Sequence, residues 1–411
     1  MPRSRASSGA ARRHDIVLYG ASGFVGRQTV AHFVRHAGGL RWALAGRSAE
    51  RLAAVQRQAN ATAAEIVIAD AADADALDAL AAQARVVLST AGPFARYGSE
   101  LVAACVRHGT HYVDITGETP WVREMIDRHH DAAARCGTRI VPGCGFDSVP
   151  ADLGAWLVAR ALQQRHGQRC VSVKACYTLR GGLNGGTFAS LMNALDSGRG
   201  RELADPFLLN PPGTAPADAA SHADPLAPHH DADFDAWLGP FFMGPVNTRV
   251  VRRTAALCGD GPYAPDFRYQ EYLRFGRGAV AALAAAGTSF ASVAGQGAMA
   301  LRPLRRLAAS LAPAPGEGPS ERTMDGGSFR CELLGSGERG ARERGCIAAR
   351  GDPGNRATTL FVCEAALALA LDAPDLPGGS ARGGVLTPAT AFGEVLARRL
   401  RAVGMTVEPW P

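Results

Sequence analysis

The sequence predicts an α/β fold, in which a doubly wound parallel sheet is combined with an inserted α+β domain containing a largely antiparallel sheet. Two observations predict the parallel sheet: short apolar runs alternate with helical stretches over residues 15–150, and a glycine-rich turn follows the first run. A third observation predicts the inserted domain, because several strand candidates after residue 150 follow one another without intervening helices.

Six apolar runs in the first part have the length and flanking residues of buried strands. They are IVLYG (16–20), WALAG (42–46), EIVIAD (65–70), RVVLST (85–90), HYVDIT (111–116) and RIVPG (139–143). Helices are predicted between them at 24–35, 49–58, 75–83, 100–107 and 121–135. Strands that alternate with helices form parallel sheets, so residues 15–150 are predicted to form a Rossmann-type domain. Residues 1–14 are predicted to be a disordered tail.

The chain from 151 to 380 is predicted to form the α+β substrate or dimerisation domain. Its helix candidates are 151–162 and 355–371, and its strand candidates are 171–179, 267–275, 328–335 and 344–350. Residues 204–235 are rich in Pro, Ala, Asp and His and are predicted to form a loop or lid. In the last part, 381–411, Thr387 and Pro388 are typical of a helix start. That helix is predicted to run to about residue 403 and to return to the Rossmann domain.

The composition excludes several classes of protein. Nine scattered cysteines without a C-x-x-C pair argue against a disulfide framework or a zinc site and favour a reducing, cytoplasmic compartment. No His/Cys ligand cluster is visible, so no metal is expected. The net charge of +6 comes from dispersed arginines, among them the pairs at 252–253, 305–306 and 398–399. Dispersed pairs predict a solvated surface rather than a nucleic-acid-binding stripe.

Residues 279–301 form an uncharged stretch that is followed by Arg302, Arg305 and Arg306. Its length would suit a membrane span, but most positions are Ala, Gly, Ser or Thr, which contribute little to insertion. We therefore favour burial or packing between domains over peripheral contact with a membrane, and both over a span.

The glycine-rich turn after the first strand has the features of a dinucleotide-binding loop. A pyrophosphate needs backbone N–H groups without side chains in the way, at the positive end of a helix. The spacing here is G-x-x-G-x-x-G, which occurs in several NADP-dependent reductase families. The residues predicted to bind the cofactor are Gly20, Ala21, Ser22, Gly23, Phe24, Val25 and Gly26.

The end of the second strand predicts which dinucleotide is bound. NAD enzymes usually place a carboxylate there for the ribose 2′-hydroxyl, whereas this sequence has Arg47 and Ser48, with Arg51 one helical turn further. Guanidinium and hydroxyl groups bind a 2′-phosphate that a carboxylate would repel. The sequence therefore predicts NADP, and the alternative is that Arg47 is simply exposed.

Two further loops are predicted to touch the cofactor. Asp70 closes the third strand, where a side chain often meets the adenine; a solvated carboxylate is the alternative. Ala91, Gly92 and Pro93 follow the fourth strand, and in this topology their loop runs beside the nicotinamide ribose.

The sequence also says which catalytic groups are absent. Lys174 is the only lysine, and Cys170 stands where a Tyr-x-x-x-Lys pair would need tyrosine, so the short-chain dehydrogenase motif is missing. The remaining candidates are polar residues at strand ends and in glycine loops. They are Tyr97, Asp114, Glu118, Asp147, Ser148, Asn184 and Thr187.

Tyr97 and Asp147 are the two residues predicted to be catalytic. A reductase that adds hydride to carbon needs a proton source for the neighbouring atom. Tyr97 is the best-placed phenol by topology, and its alternative role is a half-buried packing aromatic. Asp147 follows the sixth strand, where a cleft between domains should open. It could bind substrate, or it could cap the next helix together with Ser148.

Taken together, these segments resemble the saccharopine dehydrogenase-like oxidoreductases, and among them the trans-acting enoyl reductases. The resemblance covers nearly the whole chain. It rests on DIVLYGASGFVG (15–26), ALAGRSAERL (43–52), GPFARYGSELVAAC (92–105), YVDITGE (112–118), CGFDSVPAD (144–152), GGLNGGT (181–187), PVNTRVVRR (245–253), GDPGNRATTLFVCEAALALAL (351–371) and GGVLTPATAFG (383–393).

The resemblance implies an NADPH-dependent reductase that acts on the double bond of an acyl thioester in lipid or polyketide biosynthesis. The thioester would be carried by a polyketide synthase or an acyl carrier protein. A saccharopine-type imine or amino-acid oxidoreductase and a non-catalytic, membrane-associated NADP-binding protein remain as alternatives. A clear amino-acid-binding set is missing, which argues against saccharopine as substrate. The sequence leaves a homodimer open.

Overall fold

The computed structural model describes residues 12–181, 202, 204–299, 303 and 317–409. The candidates Asn184 and Thr187 lie outside these residues, as does most of the predicted N-terminal tail. The fold class predicted from the sequence is confirmed: one sheet is entirely parallel and the other is largely antiparallel.

The first sheet has seven parallel strands among the described residues, one more than the sequence predicts. They are β1 (His14–Tyr19), β2 (Trp42–Gly46), β3 (Glu65–Ile68), β4 (Ala84–Ser89), β5 (His111–Asp114), β6 (Arg139–Val141) and β13 (Gly384–Val385), in the order β13-β6-β5-β4-β1-β2-β3. The chain adds β2 and β3 on one side of β1, and then β4, β5 and β6 on its other side. This reversal of the strand order makes the crevice between β1 and β4 the expected ligand site.

Both faces of the central strands of this sheet are buried, as a doubly wound fold requires. Ile16 and Leu18 of β1 belong to one apolar cluster, and the alternate residues Val17 and Tyr19 belong to another. The helices of this half are α1 (Phe24–His36), α2 (Ala49–Gln58), α3 (Ala74–Gln83), α4 (Phe94–Tyr97), α5 (Ser99–His108), α6 (Thr119–Arg135) and α7 (Val149–His166).

The second sheet also has seven strands among the described residues. They are β7 (Cys170–Arg180), β8 (His229–Asp231), β9 (Ala236–Pro240), β10 (Tyr263–Gly276), β11 (Ser328–Gly337), β12 (Arg342–Arg350) and β14 (Thr406–Glu408), in the order β14-β12-β11-β7-β10-β9-β8. Neighbouring strands are antiparallel except β7 and β10. Strand β8 lies within the segment 204–235, which was predicted to be a loop or lid. Its three residues are all polar, so no apolar pattern marked it as a strand.

The remaining helices are α8 (Gly244–Cys258), α9 (Gly278–Met299), α10 (Glu321–Asp325), α11 (Thr358–Leu371), α12 (Pro388–Phe392) and α13 (Glu394–Ala402). A π-helical turn at Pro353–Ala357 precedes α11, and short 3₁₀ turns occur at Ala219–His222, Ala373–Asp375 and Gly379–Ala381.

The division of the chain between the two sheets differs from the prediction in its last third. Helix α11, which the sequence assigns to the second domain, packs on β4, β5 and α1 of the first sheet. The single helix predicted after Thr387 is two helices, α12 and α13, because Gly393 between them has a φ of 51°. After α13 the chain returns to the second sheet, where β14 pairs with β12.

Two predictions about individual segments are wrong. The stretch 279–301 was expected to be buried, but α9 is mostly exposed over its described side chains and rests on β9 with one face only. Arg252 and Arg253 were expected on a solvated surface, yet both are buried within α8. Their guanidinium groups donate hydrogen bonds to backbone carbonyls of the segment 206–222 and of Val385.

Candidate active site

Four loops meet at the carboxyl edge of the first sheet. They follow β1 (residues 20–23), β4 (90–93), β5 (115–118) and β6 (142–148). The first two contact each other across the crevice, where the Thr90 hydroxyl donates to the Gly20 carbonyl at 3.2 Å. This edge is where ligands bind in open parallel sheets.

The glycines of the first loop are required by its backbone path. Gly20 has a φ of 84°, and a Cβ there would lie 2.9 Å from the Ala91 nitrogen of the second loop. A Cβ on Gly26 would lie 2.2 Å from the Gly20 carbonyl oxygen, so α1 can approach the loop only because this residue lacks a side chain. The loop is therefore a cradle that side chains would fill, as a bound pyrophosphate needs.

The N-terminus of α1 is suited to hold an anion. Gly23 is its N-cap residue, the cap has no side-chain hydrogen bond, and the first turn contains no acidic residue. The positive end of the helix dipole therefore faces the loop without a competing carboxylate. Beside it, Gly318 lies so close to the Phe24 ring that a Cβ would be 2.5 Å from its Cζ atom. Gly318 thus covers the Phe24 ring at one side of the loop.

The residues predicted to select the 2′-phosphate lie together after β2. Arg47 and Arg51 are exposed, and Ser48 is half-buried. The Ser48 hydroxyl accepts a 3.3 Å hydrogen bond from the Arg51 N–H and so caps α2. Its own proton remains available to a phosphate. Two guanidinium groups and a hydroxyl at the end of β2 fit a 2′-phosphate.

Asp70 is exposed and lies close to the same site. Burial raises the pKa of the neighbouring Tyr19 to about 12. The negative charge of Asp70 raises this pKa further, whereas the positive charge of Arg47 lowers it. One Asp70 oxygen accepts a 2.9 Å hydrogen bond from the Ala72 N–H, so part of its capacity is used locally. An adenine contact for Asp70 stays a prediction.

The loop after β4 leads into helix α4, whose first turn is held by Glu118. Ala91, Gly92 and Pro93 lie beside the glycine loop, and Gly92 and Pro93 are joined by a cis peptide bond. The buried Glu118 carboxylate accepts hydrogen bonds from the Phe94 and Ala95 N–H groups at 2.7 and 3.0 Å. Its oxygens are therefore used to hold α4, which removes Glu118 from the catalytic candidates and gives it a positioning role.

Tyr97 ends α4 and is half-buried. The Arg96 guanidinium lies over its ring, 5.2 Å from the centroid. The described residues provide no hydrogen bond to its hydroxyl, which leaves the phenol free to meet a ligand. Both hypotheses for Tyr97, proton donor and packing aromatic, remain compatible with this position.

Asp114 is fully buried beneath the loops and is not exposed to the cleft. Its carboxylate accepts hydrogen bonds from the Tyr112 hydroxyl and from the N–H groups of Thr116 and Gly143, at 2.9 to 3.0 Å. Burial raises the pKa of Asp114 to about 7 despite these bonds. These contacts join the loops after β5 and β6, so Asp114 shapes the site rather than acting in it.

Asp147 is the carboxylic acid that best fits the cleft. It is half-buried, and one of its oxygens would lie 3.4 Å from a Cβ built on Gly117, close to Met243 and Val246. Burial raises the pKa of Asp147 to about 6. It makes no hydrogen bond within the described part of the chain, unlike Asp114 and Glu118. A carboxyl group of this kind is a candidate acid.

The capping hypothesis for Asp147 and Ser148 is not supported. Ser148 occupies the N-cap position of α7, but neither side chain makes a capping hydrogen bond. The Ser148 hydroxyl is buried without a partner among the described residues, and it lines a cavity of about 20 Å³. That volume suits one water molecule.

Lys174 lies outside this site. Its ammonium group, on β7 of the second sheet, binds the carboxylates of Asp231, at 2.6 Å, and Asp233. Burial alone would lower the pKa of Lys174, but these two hydrogen-bonded carboxylates outweigh that effect and raise it. The lysine is therefore held as a structural cation, and lysine-based acid catalysis is excluded at the cleft.

Three positions of the site were missed in sequence reasoning, or were given another role. Thr90 could have been found, because it stands directly after β4 beside the predicted cofactor loop. The clamp that Glu118 forms on α4 and the cover that Gly318 forms over Phe24 both depend on contacts distant in sequence. No local pattern signals such contacts.

Comparisons with known proteins agree with the site. Residues 16–141 match the family model of the saccharopine dehydrogenase NADP-binding domain. Over 97% of the chain, the sequence is 38% identical to proteins named trans-acting enoyl reductase from Mycobacterium tuberculosis and from Mycobacterium ulcerans, and 98% of each relative is covered. The chain belongs to the trans-acting enoyl reductase branch of the saccharopine dehydrogenase-like family.

For this family member, NADP is the cofactor and oxidoreduction is the class of reaction. A solved structure supports the fold: apo saccharopine dehydrogenase from Saccharomyces cerevisiae aligns with a TM-score of 0.52 over 96% of this chain and 99% of that one. The two sequences are 14% identical, so this likeness concerns the architecture alone.

Proposed function

We propose that this protein uses NADPH to reduce the double bond of an α,β-unsaturated acyl thioester. The observation that supports this most directly is the cleft itself. The loop fitted to NADP and the loop that carries Asp147 both lie at the carboxyl edge of the first sheet, and Asp147 is a half-buried acid that has no hydrogen bond to the described residues. The names of the full-length relatives supply the substrate class.

The loops divide the work of binding between them. In the proposed complex, the glycine loop and the N-terminus of α1 hold the pyrophosphate, and Arg47, Ser48 and Arg51 hold the 2′-phosphate. Ala91, Gly92 and Pro93 place the nicotinamide beside the cleft. Bound NADPH supplies the hydride that reduces the β-carbon of the substrate.

The second half of the reaction requires a proton at the α-carbon, where the electron pair of the double bond accumulates. We assign this proton to the Asp147 carboxyl group, because burial holds its pKa near 6, close to neutral pH. Asp147 then regains a proton from water. Tyr97, at the end of the α4 helix that Glu118 holds, is the second candidate for a contact with the thioester.

The substrate is proposed to arrive on another protein. "Trans-acting", in the names of the relatives, describes an enzyme that works on a chain held elsewhere, which we take to be a polyketide synthase or an acyl carrier protein. We propose a cytoplasmic location, because the nine cysteines are all free thiols. A homodimer remains to be tested by measuring the mass in solution.

The test is NADPH oxidation, followed at 340 nm, with a set of enoyl thioesters that includes carrier-bound ones. We expect turnover with at least one of them and product saturated at the α,β position. The Asp147→Asn variant should bind NADPH normally and lose roughly 10²–10⁴-fold in kcat, the usual contribution of a general acid. The Tyr97→Phe variant keeps the ring and removes the hydroxyl, so comparing its kcat with that of Asp147→Asn distinguishes the two candidate proton donors.

Two results would overturn the proposal. NADPH binding without turnover of any enoyl thioester would favour a non-catalytic protein that has kept the nucleotide fold. Reduction of NADP by amino acids would instead point to chemistry of the saccharopine type.

A further inference from the structure

A small, partly open cavity lies among the loops of the candidate active site. It is lined by the loops after β5 and β6, by α6 and α8, and by the chain around β13. Its volume of about 20 Å³ has room for one group of the size of a water molecule, such as a carbonyl oxygen. Its lining residues include Gly117, Thr119, Gly143, Ser148 and Arg253. This space is called the loop cavity below.

Three residues that line the loop cavity have a buried polar atom without a hydrogen-bond partner among the described residues. These atoms are Thr119 Oγ1, Ser148 Oγ and Arg253 Nε. Each of the three residues is at most 2% exposed. Buried polar groups in folded proteins are almost always hydrogen-bonded, and all three groups can donate. Three donors around one cavity indicate a ligand that accepts hydrogen bonds.

The electrostatic environment of the loop cavity favours negative charge. Thr119 is the first residue of α6 and Ser148 is the N-cap residue of α7, two helices of 17 and 18 residues without a side-chain hydrogen bond at the cap. Their positive dipole ends add to the charge of the Arg253 guanidinium. No aspartate or glutamate is among the described residues that line the cavity. Asp114 beneath the loops opposes this potential only in part, because burial raises its pKa to about 7.

The loop cavity adjoins the groups that take part in the proposed reaction. Gly117 lines it, and a Cβ built on Gly117 would lie 3.4 Å from an Asp147 oxygen. The next residue, Glu118, holds the first turn of α4 directly after the predicted cofactor loop 91–93. In a thioester the carbonyl oxygen is two bonds from the α-carbon. An oxygen in the cavity therefore places the α-carbon on the side of Asp147.

We propose that the loop cavity binds the carbonyl oxygen of the substrate thioester and stabilises the negative charge that develops on it, an inference that rests on the proposed function. When hydride adds to the β-carbon, the electron pair of the double bond shifts towards this oxygen and an enolate forms. Thr119, Ser148 and Arg253 donate hydrogen bonds to the enolate oxygen. The Asp147 carboxyl group then gives its proton to the α-carbon, and the carbonyl double bond is restored.

The chemistry explains why such a site is needed. The enolate carries a full charge that the enoyl thioester lacks, so donors fixed around its oxygen stabilise the transition state more than the bound substrate. Donors held in a buried site also need no reorganisation when the charge forms, unlike water. Thr119 and Ser148 are thereby assigned as catalytic residues in addition to Asp147.

Removing the two hydroxyls tests this assignment kinetically. Thr119→Val and Ser148→Ala should each lose roughly 10²–10³-fold in kcat with an enoyl thioester, the usual effect of removing one oxyanion donor. KM should change little, because the lost interaction is made mainly in the transition state. The matched control is Thr359→Val, which removes a buried hydroxyl that also has no partner among the described residues but does not line the cavity. It should keep the wild-type kcat. Arg253 is not varied, because its other N–H groups hold backbone carbonyls.

The absorption spectrum of a bound dienoyl thioester gives a second readout that needs no turnover. The probe is a conjugated dienoyl thioester of pantetheine, added to the protein together with oxidised NADP, which cannot reduce it. Hydrogen bonds to the carbonyl oxygen polarise the conjugated system and shift its absorption band to longer wavelength. We expect this shift with the wild type and with Thr359→Val. The double variant Thr119→Val/Ser148→Ala should bind the probe without the shift.

NADPH affinity, followed by fluorescence, should be the same in all variants, which shows that they are folded. The inference is overturned if both hydroxyl variants keep the wild-type kcat and the double variant keeps the spectral shift, because the cavity then holds a structural water only. It is also overturned if Thr359→Val loses as much activity as the two site variants. A spectral shift in a wild type that reduces no enoyl thioester contradicts the proposed function and leaves the carbonyl site in place.

Discussion

Arg47 occupies the position at which a single residue distinguishes NADP from NAD. It is exposed after β2, close to Tyr19 and within the same turn as Ser48. Replacing it by aspartate puts a carboxylate against the 2′-phosphate. We expect Arg47→Asp to weaken NADPH binding by about 1.5–3 kcal/mol, the range for a hydrogen bond to a charged group. NADH binding should be unchanged or improved.

Fluorescence titration with both cofactors measures this effect. Arg57→Asp is the matched control, because it introduces the same charge change on an exposed arginine in the last turn of α2. An unchanged NADPH affinity in Arg47→Asp would remove this residue from the 2′-phosphate site.

The burial of Asp147 should make the free energy of unfolding depend on pH. Its pKa lies near 6 in the folded protein, above the ordinary value of an aspartate, because burial disfavours the ionised carboxylate. The stability linked to this group is therefore fully present at pH values below the unfolded pKa and is lost as the pH rises through about 6. Asp147→Asn removes the ionisation.

We expect Asp147→Asn to stabilise the protein by roughly 1–2 kcal/mol at about pH 8, a figure discounted because the side chain is only half-buried. The gain should shrink towards about pH 4.5. Urea unfolding at both pH values measures it. An active-site acid that weakens the fold is expected where function requires a buried carboxyl group. Equal stability of the two proteins at about pH 8 would contradict the raised pKa.

At the scale of a secondary-structure element, the position of helix α1 depends on close packing against the glycine loop. Helix α1 reaches the loop only because Gly26 has no side chain, since a Cβ would lie 2.2 Å from the Gly20 carbonyl oxygen. We expect Gly26→Ala to push α1 away from β1, to destabilise the protein by about 1–3 kcal/mol and to reduce NADPH affinity at least tenfold.

Gly287→Ala is the control for this substitution. Gly287 also lies inside a helix, but a Cβ there meets no atom within 4 Å. Alanine should stabilise that helix by up to about 1 kcal/mol and leave NADPH binding unchanged. Thermal unfolding and cofactor titration measure both variants. The close packing of α1 would not matter if the two substitutions had the same effect.

The elements that could be predicted from the sequence are those with a strong local pattern. Five of the six runs of the first sheet are mostly buried, and the edge strand β3 is partly exposed but still rich in Ile and Val, so all six have a continuous apolar character and were found. The strands β8, β9, β13 and β14 have two to five residues each and were missed, because pairing with other strands defines them. Helix α11 was found, but its apolar residues could not indicate which of the two sheets it covers.

The site shows the same limit. Arg47 and the glycines act through local geometry, so their types and spacing were informative. Glu118 and Asp114 differ in role from Asp147 only through their hydrogen bonds, which join residues from separate loops. The sequence favoured Asp147 by its place after the sixth strand, but it could not assign structural roles to Asp114 and Glu118. The burial of Arg252 and Arg253 was hidden for the same reason, since their partners are backbone carbonyls.

At the scale of the whole molecule, the two sheets share one core. A single cluster of buried apolar residues extends from Ile16 of β1 to Leu333 of β11. Helix α7 is part of this connection, because Gly154 allows it to pack against Leu333. The C-terminal part of the chain contributes β13 to one sheet and β14 to the other. We therefore expect the two halves to unfold together in one transition.

Arg253 also connects the two halves of the molecule, by hydrogen bonds instead of apolar contacts. Its guanidinium donates to the Leu209 carbonyl in the segment after β7 and to the Val385 carbonyl of β13, at 2.7 Å. Burial lowers the pKa of Arg253 to about 9, so the group remains charged at neutral pH. Arg253→Met keeps much of the apolar stem but removes the guanidinium hydrogen bonds to two buried carbonyls, of which that of Val385 still has His130 Nδ1 at 3.3 Å. We expect a loss of about 2–4 kcal/mol in the free energy of unfolding, since each such group costs about 1–3 kcal/mol.

Urea unfolding followed by tryptophan fluorescence measures this loss, and the same substitution at the exposed Arg398 should change stability by less than about 0.5 kcal/mol. Arg253→Lys should be intermediate, because an ammonium group replaces the planar fork that spans both carbonyls. In Arg253→Met the segment around Leu209 should also become more sensitive to limited proteolysis, whereas NADPH affinity is retained. If Arg253→Met and Arg398→Met were equally stable, the shared apolar core alone would join the two halves, and the buried arginine would contribute nothing to that connection.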